Sequence, residues 1–218
     1  MENFERNNEI QETGKDIFEE HIEEPQSTVS RWKSELWDWI KAIAIALVIA
    51  LFLKNYVLTL AKVQGESMEP TLNDSDRLYV NKLFYTPENG DIVIVESNDP
   101  LAPFYIKRVI AKEGDTIFIN FSSGEVFVND EVIEEPYIAD KTHLVGSYIY
   151  SLMLNDEFSR ETPLVLGENE YFVMGDNRNN SKDSREMGII KKDEIIGHAV
   201  FRFWPLNKMG NLDYSFEE

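Results

Sequence analysis

The chain has 218 residues, enough for one modest domain and an additional segment, since domains commonly contain about 100–200 residues. Its formal net charge of −19 argues against a nucleic-acid partner held by phosphate contacts, because the chain would repel the polyanion. With no Cys, thiol nucleophiles, zinc–thiolate sites and disulfides are excluded. The three histidines, His21, His143 and His198, lack metal-ligand spacing, so hydrolytic chemistry would have to use other side chains.

The first 35 residues differ in composition from the rest of the chain. Residues 1–35 contain ten acidic and four basic residues and show no sustained apolar periodicity. This composition predicts a solvated, disordered tail. A cleavable signal peptide would need a basic start, and residues 1–5 do not provide one.

The next segment is apolar and predicts one membrane-spanning helix over residues 36–60. The uninterrupted apolar run covers only residues 42–53, whereas a helix needs about 20 residues to cross a hydrocarbon core. Counted from Trp39 to Leu60 the segment has 22 residues, and Lys41 and Lys54 lie near enough to its ends to contact lipid headgroups. The short run alone would also suit a buried helix of a soluble domain. The flanking charges do not decide the orientation.

Residues 61–218 alternate short apolar runs with Gly, Asn, Asp and Pro, a pattern typical of an antiparallel, mostly β domain. Residues 122–125, Ser-Ser-Gly-Glu, predict a hairpin turn. Residues 140–161 are ambiguous, because they are polar at both ends and aromatic in the middle. The predicted strands cover residues 77–80, 91–95, 104–111, 116–120, 126–128, 171–174 and 196–204.

A hydrolase without Cys or a suitably placed His can activate a Ser hydroxyl with a neutral Lys amine. Residues 65–72, Gly-Glu-Ser-Met-Glu-Pro-Thr-Leu, offer Ser67 as a nucleophile shortly after the apolar segment. Gly65 allows the backbone to approach a substrate closely, and the backbone N–H of Ser67 can donate to a developing oxyanion. The same residue types are also typical of a simple turn before a strand.

Two further polar segments are candidates for the rest of a site. In the predicted strand 104–111, Lys107 shares one face with Tyr105 and Val109, while Arg108 lies on the other. Adjacent cations in an apolar strand also occur at sheet edges, where they discourage aggregation. Residues 175–185 form a polar loop directly after a strand, which is either a scaffold that orients a base or a charged surface loop.

Four segments, in order behind the apolar helix, resemble the successive conserved boxes of bacterial type I signal peptidases. They are residues 65–72, residues 90–94 (Gly-Asp-Ile-Val-Ile), residues 105–115, and residues 175–185 (Gly-Asp-Asn-Arg-Asn-Asn-Ser-Lys-Asp-Ser-Arg). The last is the most specific, and the resemblance covers about residues 37–205. It implies an antiparallel β-sheet catalytic domain outside the cytoplasm, preceded by one transmembrane helix as in Gram-positive members, with the tail in the cytoplasm.

The resemblance also implies roles for individual residues. Ser67 matches the family's nucleophile, Lys107 its general base, and Ser181 the serine that orients the lysine. Four polar residues match those that hold the site in shape, namely Asp176, Arg108, Asp183 and Arg185. Three residues are expected to contact the substrate, namely Gly65, Glu66 and Met68.

The implied activity is the removal of signal peptides from secretory preproteins at the cell membrane, through an acyl-enzyme. The expected partners are the cleavage region of a preprotein and the lipid bilayer, and neither a metal, a cofactor nor a nucleic acid is required. The pKa of Lys107 must fall by about two to three units from about 10.4 for the amine to act as a base near neutrality. We expect burial beside Phe104, Ile106 and Met68 to lower it.

Two departures from the family pattern keep other functions open. Some members carry a serine as a second oxyanion donor where this chain has Gly65, and residues 111–113, Ala-Lys-Glu, replace a common Gly-x-Pro. Both would suit a catalytically silent, membrane-anchored binding protein on the same fold. A soluble autoproteolytic repressor also uses a Ser–Lys dyad, but it needs a basic DNA-binding domain, whereas residues 1–35 are acidic.

Overall fold

A computed structural model describes residues 28–52, 58–100 and 102–212 of the chain. The chain divides into two units, the first ending at Ile49 and the second beginning at Ala50. Every residue with a predicted role in the site belongs to the second unit.

The first described element is a long helix, α1 (Thr28–Phe52), and its bounds differ from the prediction. It begins inside the segment predicted as a disordered tail, and residues 58–60 of the predicted helix belong to a strand instead. Within the described ranges, no helix combines the length and apolarity needed to cross a membrane. Charged residues at Glu35, Asp38 and Lys41 interrupt the apolar part of α1. Residues 1–27 and 53–57 lie outside the described residues.

The second unit is built mainly from strands. Its described strands are β1 (Leu58–Lys62), β2 (Arg77–Asn81), β3 (Ile92–Asp99), β4 (Ala102–Ala111), β5 (Thr116–Asn120), β6 (Glu125–Val128), β7 (Glu131–Val132), β8 (Leu164–Val165), β9 (Glu170–Met174), β10 (Ile190–Lys191), β11 (Ile195–Trp204) and β12 (Gly210–Asn211). Its described α-helices are α2 (Ser147–Leu154) and α3 (Ser184–Met187), and its 3-10 helices are Lys192–Glu194 and Leu206–Lys208.

These strands form two antiparallel sheets. The larger has the order β1-β2-β11-β3-β4-β9-β10, with β12 paired to β11, and the smaller has the order β7-β6-β5-β8. Every pairing in the described residues is antiparallel. The prediction of a mostly β, antiparallel domain is confirmed, as is the hairpin turn at residues 122–125, which joins β5 to β6.

The position of β4 explains why its two cations are buried. In β2, which lies nearer the edge of the sheet, Leu78 and Val80 are buried while Arg77 and Tyr79 are exposed, the expected alternation for a strand with one solvent-facing side. β4 instead lies between β3 and β9, and residues 106–111 are buried on both faces. The edge-strand interpretation of residues 104–111 is therefore wrong.

Two apolar clusters include residues of β4. One cluster joins Met68, Leu72 and Ile106 to the buried residues of β2 and β3. Another packs Ile110 of β4 against the smaller sheet and against Ile149 of α2. The ambiguous stretch 140–161 thus contains a short helix that covers this second cluster.

Candidate active site

Ser67 and Lys107 meet although they are 40 residues apart in sequence. Ser67 lies in the turn between β1 and β2, and Lys107 lies in the middle of β4. The distance between Lys107 Nζ and Ser67 Oγ is 2.8 Å, and Lys107 Nζ also donates to the carbonyl of Ile106 at 2.9 Å. Lys107 is only 2% exposed, whereas Ser67 is half-buried. The hydroxyl is thus reachable from solvent while the amine beside it is not.

Burial changes the proton affinity of the amine. It lowers the pKa of Lys107 from 10.5 to about 8, because an ammonium in an apolar environment loses its hydration. The carboxylates of Asp183 and Asp176 act in the opposite direction, and the guanidinium of Arg185 lowers the pKa further. At pH 8 about half of the Lys107 side chains would be neutral and able to accept a proton.

The turn that carries Ser67 is fixed at both ends. Gly65 has a φ of +82°, a left-handed conformation that glycine adopts at little cost, and its amide donates to Asp74 Oδ1 at 2.9 Å. Beyond the nucleophile, Met68 is buried and its carbonyl accepts the amide of Leu72 at 2.8 Å. A Cβ on Gly65 would meet no atom within 4 Å, so the turn is open on this side.

The loop 175–185 packs directly on the Ser67 turn. The backbone N–H of Asn177 donates to the carbonyl of Ser67 at 3.0 Å, and its side-chain Nδ2 donates to the carbonyl of Glu66 at 3.1 Å. Gly175 is packed so closely that a methyl group there would overlap both the Ser67 carbonyl and Ser181 Oγ. Asn180 Nδ2 adds a contact of 3.4 Å to the carboxylate of Glu66.

A buried ion pair connects this loop to the strand of the lysine. Arg108 donates to Asp176 through Nε at 2.9 Å and through Nη2 at 2.7 Å, and its Nη1 donates to the carbonyl of Gly90 at 2.7 Å. Arg108 is 1% exposed and Asp176 is fully buried. Since Arg108 follows Lys107 in β4, the pair fixes the loop relative to the amine.

A second buried pair holds the end of the loop. Asp183 accepts Arg185 Nε at 2.9 Å, Arg185 Nη2 at 2.8 Å and the amide of Gly175 at 2.9 Å. Burial alone would raise the pKa of Asp183, but the Arg185 guanidinium and the Gly175 N–H hold it below its usual value. Asp183 also accepts the amide of Arg185 and so begins α3.

Comparison with known proteins identifies the family. The family model described as signal peptidase, peptidase S26, matches residues 36–204. The chain belongs to this peptidase family. Its similarity to bacterial type I signal peptidases, predicted from four sequence segments, is thereby confirmed.

Individual family members are similar over most of the chain. Signal peptidase I S of Bacillus subtilis (strain 168) is 38% identical over 185 residues, which cover 83% of this chain and 95% of that protein. Signal peptidase IB of Staphylococcus aureus (strain MRSA252) is 36% identical over 190 residues, 84% of this chain and 96% of that protein. A crystal structure of a signal peptidase I from Enterococcus faecalis V583 covers 52% of this chain at 26% identity, with a TM-score of 0.36.

In this member of the signal peptidase family, Ser181, predicted to orient the lysine, lies close to Asp183. Its Oγ is buried, and in the described residues no hydrogen bond to it meets the usual limits of distance and angle. The hydroxyl nevertheless lies near enough to the Asp183 carboxylate to help lower its pKa. The donors of Lys107 Nζ point instead to Ser67 and Ile106, so Ser181 and Lys107 are not hydrogen-bonded here.

Arg178 was given no role from the sequence, although it lies inside the quoted loop. It is buried and pairs with Glu135 at 2.5 Å, and it donates to Thr142 at 3.0 Å and to the carbonyl of Gly175 at 3.1 Å. The ring of Tyr137 lies under the Arg108 guanidinium, 4.0 Å from its carbon atom. These contacts tie the loop to Glu135 and Thr142. In the sequence, only its position inside the loop segment pointed to Arg178.

A cleft of about 250 Å³ lies on the far side of Tyr105, and neither Ser67 nor Lys107 lines it. Tyr105 lies between this cleft and the Ser–Lys pair, because it lines the cleft and its ring centroid is 5.5 Å from Lys107 Nζ. The lining is apolar at Val95, Met187 and Ile190, with carboxylates at Glu96 and Glu194.

Proposed function

We propose that this chain is a serine endopeptidase that removes signal peptides from secretory preproteins, with Ser67 as the nucleophile and neutral Lys107 as the general base. The observation that carries the proposal is the 2.8 Å separation of Ser67 Oγ from a buried amine whose pKa is about 8. Relatives 36–38% identical are named signal peptidase I, which supports the same substrate class.

The reaction begins when Lys107 Nζ takes the proton of Ser67 Oγ as the oxygen attacks the scissile carbonyl. The backbone N–H of Ser67 donates to the oxyanion that forms. As the peptide C–N bond breaks, Lys107 returns the proton to the leaving amine, and an ester joins Ser67 to the signal peptide. Lys107 then removes a proton from a water molecule, which hydrolyses the ester and regenerates the hydroxyl.

The other predicted site residues have supporting roles in this proposal. Arg108 and Asp176 fix the loop to β4, and Asp183 and Arg185 fix its far end. Ser181, which packs against Gly175 beside the Ser67 carbonyl, orients the lysine through the shape of this loop.

The substrate is proposed to pass along the open side of the Ser67 turn. Gly65 and Glu66 are exposed there, and Met68 is buried directly below the nucleophile. An extended segment with small side chains fits such a surface, because it brings its backbone close to Ser67 without steric conflict. The cleft beyond Tyr105 accommodates the residues that continue the chain.

Membrane attachment is part of the proposal, with the catalytic unit outside the cytoplasm and the N-terminal segment inside. The apolar side chains of α1 are exposed, among them Ile43, Ile45, Leu47 and Val48. Exposed apolar surface of this extent favours lipid. A signal peptide also places an apolar segment in the bilayer, so an anchored enzyme and its substrate would share one surface.

Incubation of the detergent-solubilised full chain with a preprotein tests the proposal, and mass spectrometry of the new N-terminus locates the cleaved bond. Ser67→Ala and Lys107→Met should each reduce the cleavage rate by roughly 10⁴-fold or more, because each removes an essential part of the acyl-transfer machinery. Lys192→Met, at an exposed lysine, is the matched control and should cleave normally. Normal cleavage by either site variant would remove that residue from the mechanism. A wild-type chain that binds preprotein without cleaving it would favour the silent binding protein.

A further inference from the structure

The peptide group between Glu66 and Ser67 is held from one side by the side chain of Asn177. Asn177 Nδ2 donates to the Glu66 carbonyl at 3.1 Å, and the amide of Glu69 donates to the same oxygen at 3.1 Å. A separate bond joins the backbone N–H of Asn177 to the Ser67 carbonyl at 3.0 Å. The side chain and the main chain of Asn177 therefore fix two consecutive peptide groups of the nucleophile turn.

The geometry of the peptide bond carries the effect of this contact to the other side of the turn. The Glu66–Ser67 bond is trans, and a trans peptide group is planar with its C=O and N–H pointing in opposite directions. Because Asn177 and the Glu69 amide together hold the direction of the Glu66 carbonyl, Asn177 also helps to hold the direction of the Ser67 N–H. That N–H is directed opposite to the carbonyl that Asn177 Nδ2 contacts.

The Ser67 N–H is the donor that the proposed function assigns to the oxyanion. Gly65 has no side-chain donor to share this task. The stabilisation of the oxyanion therefore depends strongly on one backbone N–H. A hydrogen bond accepted by the carbonyl also polarises the same peptide group and strengthens its N–H as a donor.

We propose that Asn177 is a positioning residue of the oxyanion hole. Its side chain orients and polarises the Glu66–Ser67 peptide group, so that the Ser67 N–H meets the negative charge of the tetrahedral intermediate. Asn177 itself touches neither the scissile bond nor Lys107. This inference rests on the proposed function. It adds a residue that stabilises the transition state indirectly, by holding the peptide group whose N–H contacts the oxyanion.

The chain offers a matched control. Asn180 lies in the same loop and donates to the Glu66 carboxylate at 3.4 Å, so Asn180→Ala removes a contact to Glu66 without touching the peptide group. Asn177→Ala removes the side-chain contact but retains the backbone bond to the Ser67 carbonyl. Asn177→Asp keeps the shape and replaces the donor with a carboxylate oxygen, which repels the carbonyl.

The experiment uses the full chain in detergent and measures kcat and KM on a peptide that spans the cleavage site. Asn177→Ala is expected to lower kcat roughly 10- to 100-fold with KM changed less than about twofold, since loss of one oxyanion donor costs about 10²- to 10³-fold and a misdirected donor costs less. Asn177→Asp should lose at least as much. Asn180→Ala should stay within about threefold of the wild type.

Two further readouts separate positioning from a general loss of structure. A peptide boronate forms a tetrahedral adduct on Ser67, so its inhibition constant should rise in proportion to the loss of kcat/KM. The pH midpoint of kcat/KM should stay unchanged, because the contact between Ser67 and Lys107 is intact. A thermal melt of each variant reports its stability independently.

Several outcomes would overturn the inference. They are an unchanged kcat in both Asn177 variants, a loss confined to KM, equal losses in the Asn177 and Asn180 variants, or a boronate affinity that does not follow kcat/KM. A shifted pH midpoint would mean that Asn177 acts through the dyad instead. Failure of the proposed function looks different, because the wild type would then not cleave the peptide at all.

Discussion

Lys107 is a cationic side chain that β4 places almost entirely out of solvent. Its pKa of about 8 results first from burial, which outweighs the nearby carboxylates of Asp183 and Asp176. The base in the proposed mechanism is the neutral amine, so activity must increase as the pH rises through this pKa. We therefore predict that kcat/KM rises with a midpoint near pH 8 and levels off above it, measured on a cleavage-site peptide between about pH 6 and 10.

The outcome that contradicts this prediction is a midpoint near the ordinary pKa of a lysine, which would indicate a solvated ammonium. Control measurements on a peptide with blocked termini and no ionisable side chains remove titration of the substrate, whose free α-amino group would otherwise titrate near pH 8. Ser67 itself has no role in setting the midpoint, because its hydroxyl does not titrate in this range. The pH profile thus reports the environment of Lys107 alone.

β4 and the loop 175–185 are coupled by the buried pair of Arg108 and Asp176. Breaking a buried pair leaves one charge without compensation, which typically costs about 3–5 kcal/mol. We predict that Asp176→Asn lowers the free energy of unfolding by this amount, measured by denaturant titration. The carboxylate of Asp176 also raises the pKa of Lys107, so its removal should move the midpoint of kcat/KM to lower pH.

An exposed pair provides the control for this prediction. Lys182 and Glu186 lie 3.9 Å apart, and both are exposed. Glu186→Gln should change stability by less than about 1 kcal/mol, because water screens such pairs. If the two variants lost equal stability, the buried pair would not be what couples the strand to the loop. An unchanged pH midpoint in Asp176→Asn would mean that its charge does not reach Lys107.

The strands could be predicted from the sequence where alternation or a clear apolar run was present. The sequence instead predicts the residues of β1 as the end of the apolar helix, because Leu58 and Leu60 lie within the length that a membrane span needs. α2 could not be predicted, because its segment mixes polar and aromatic residues and because its N-cap, Gly146, has no side chain that would mark the start of a helix. A pattern of residue types indicates only local structure, and the residues of β1 and α2 are compatible with more than one kind of secondary structure.

The candidate active site could also be predicted only in part from the sequence. Ser67 and Lys107 could be predicted as catalytic residues because a Ser–Lys hydrolase needs a hydroxyl and an amine. Their segments also resemble conserved segments of type I signal peptidases. The contact of Asn177 with Glu66 spans 111 residues, and that of Arg178 with Thr142 spans 36. Contacts of this kind depend on how the loop packs on the sheet, which no local pattern encodes.

At the scale of the whole molecule, the net charge of −19 opposes the neutral state of Lys107, since negative charge favours an ammonium. Distant charges are screened beyond about 8–10 Å at moderate salt, whereas burial acts directly on the amine. The strongest nearby carboxylates are themselves paired, Asp176 with Arg108 and Asp183 with Arg185. The acidic composition and a low lysine pKa are therefore compatible.

The chain divides into two units at Ile49 and Ala50, and the proposed function gives each unit a separate task. The described site lies wholly in the second unit, and the exposed apolar side chains of α1 mainly precede it. We predict that a chain beginning at Ala50 hydrolyses a soluble cleavage-site peptide within about twofold of the full-chain rate. Its rate on a preprotein inserted in liposomes should fall roughly 10- to 100-fold, because anchoring raises the effective concentration of enzyme at the membrane.

A full-length variant tests the same point without truncation. Ile45→Asp together with Val48→Asp places charges among the exposed apolar residues of α1, which lowers its affinity for lipid while leaving the second unit complete. This variant should resemble the shortened chain, with normal peptide hydrolysis and slow preprotein cleavage on liposomes. If both kept the full rate on liposomes, α1 would not be the anchor, since confinement to the membrane would then depend on surfaces of the catalytic unit itself.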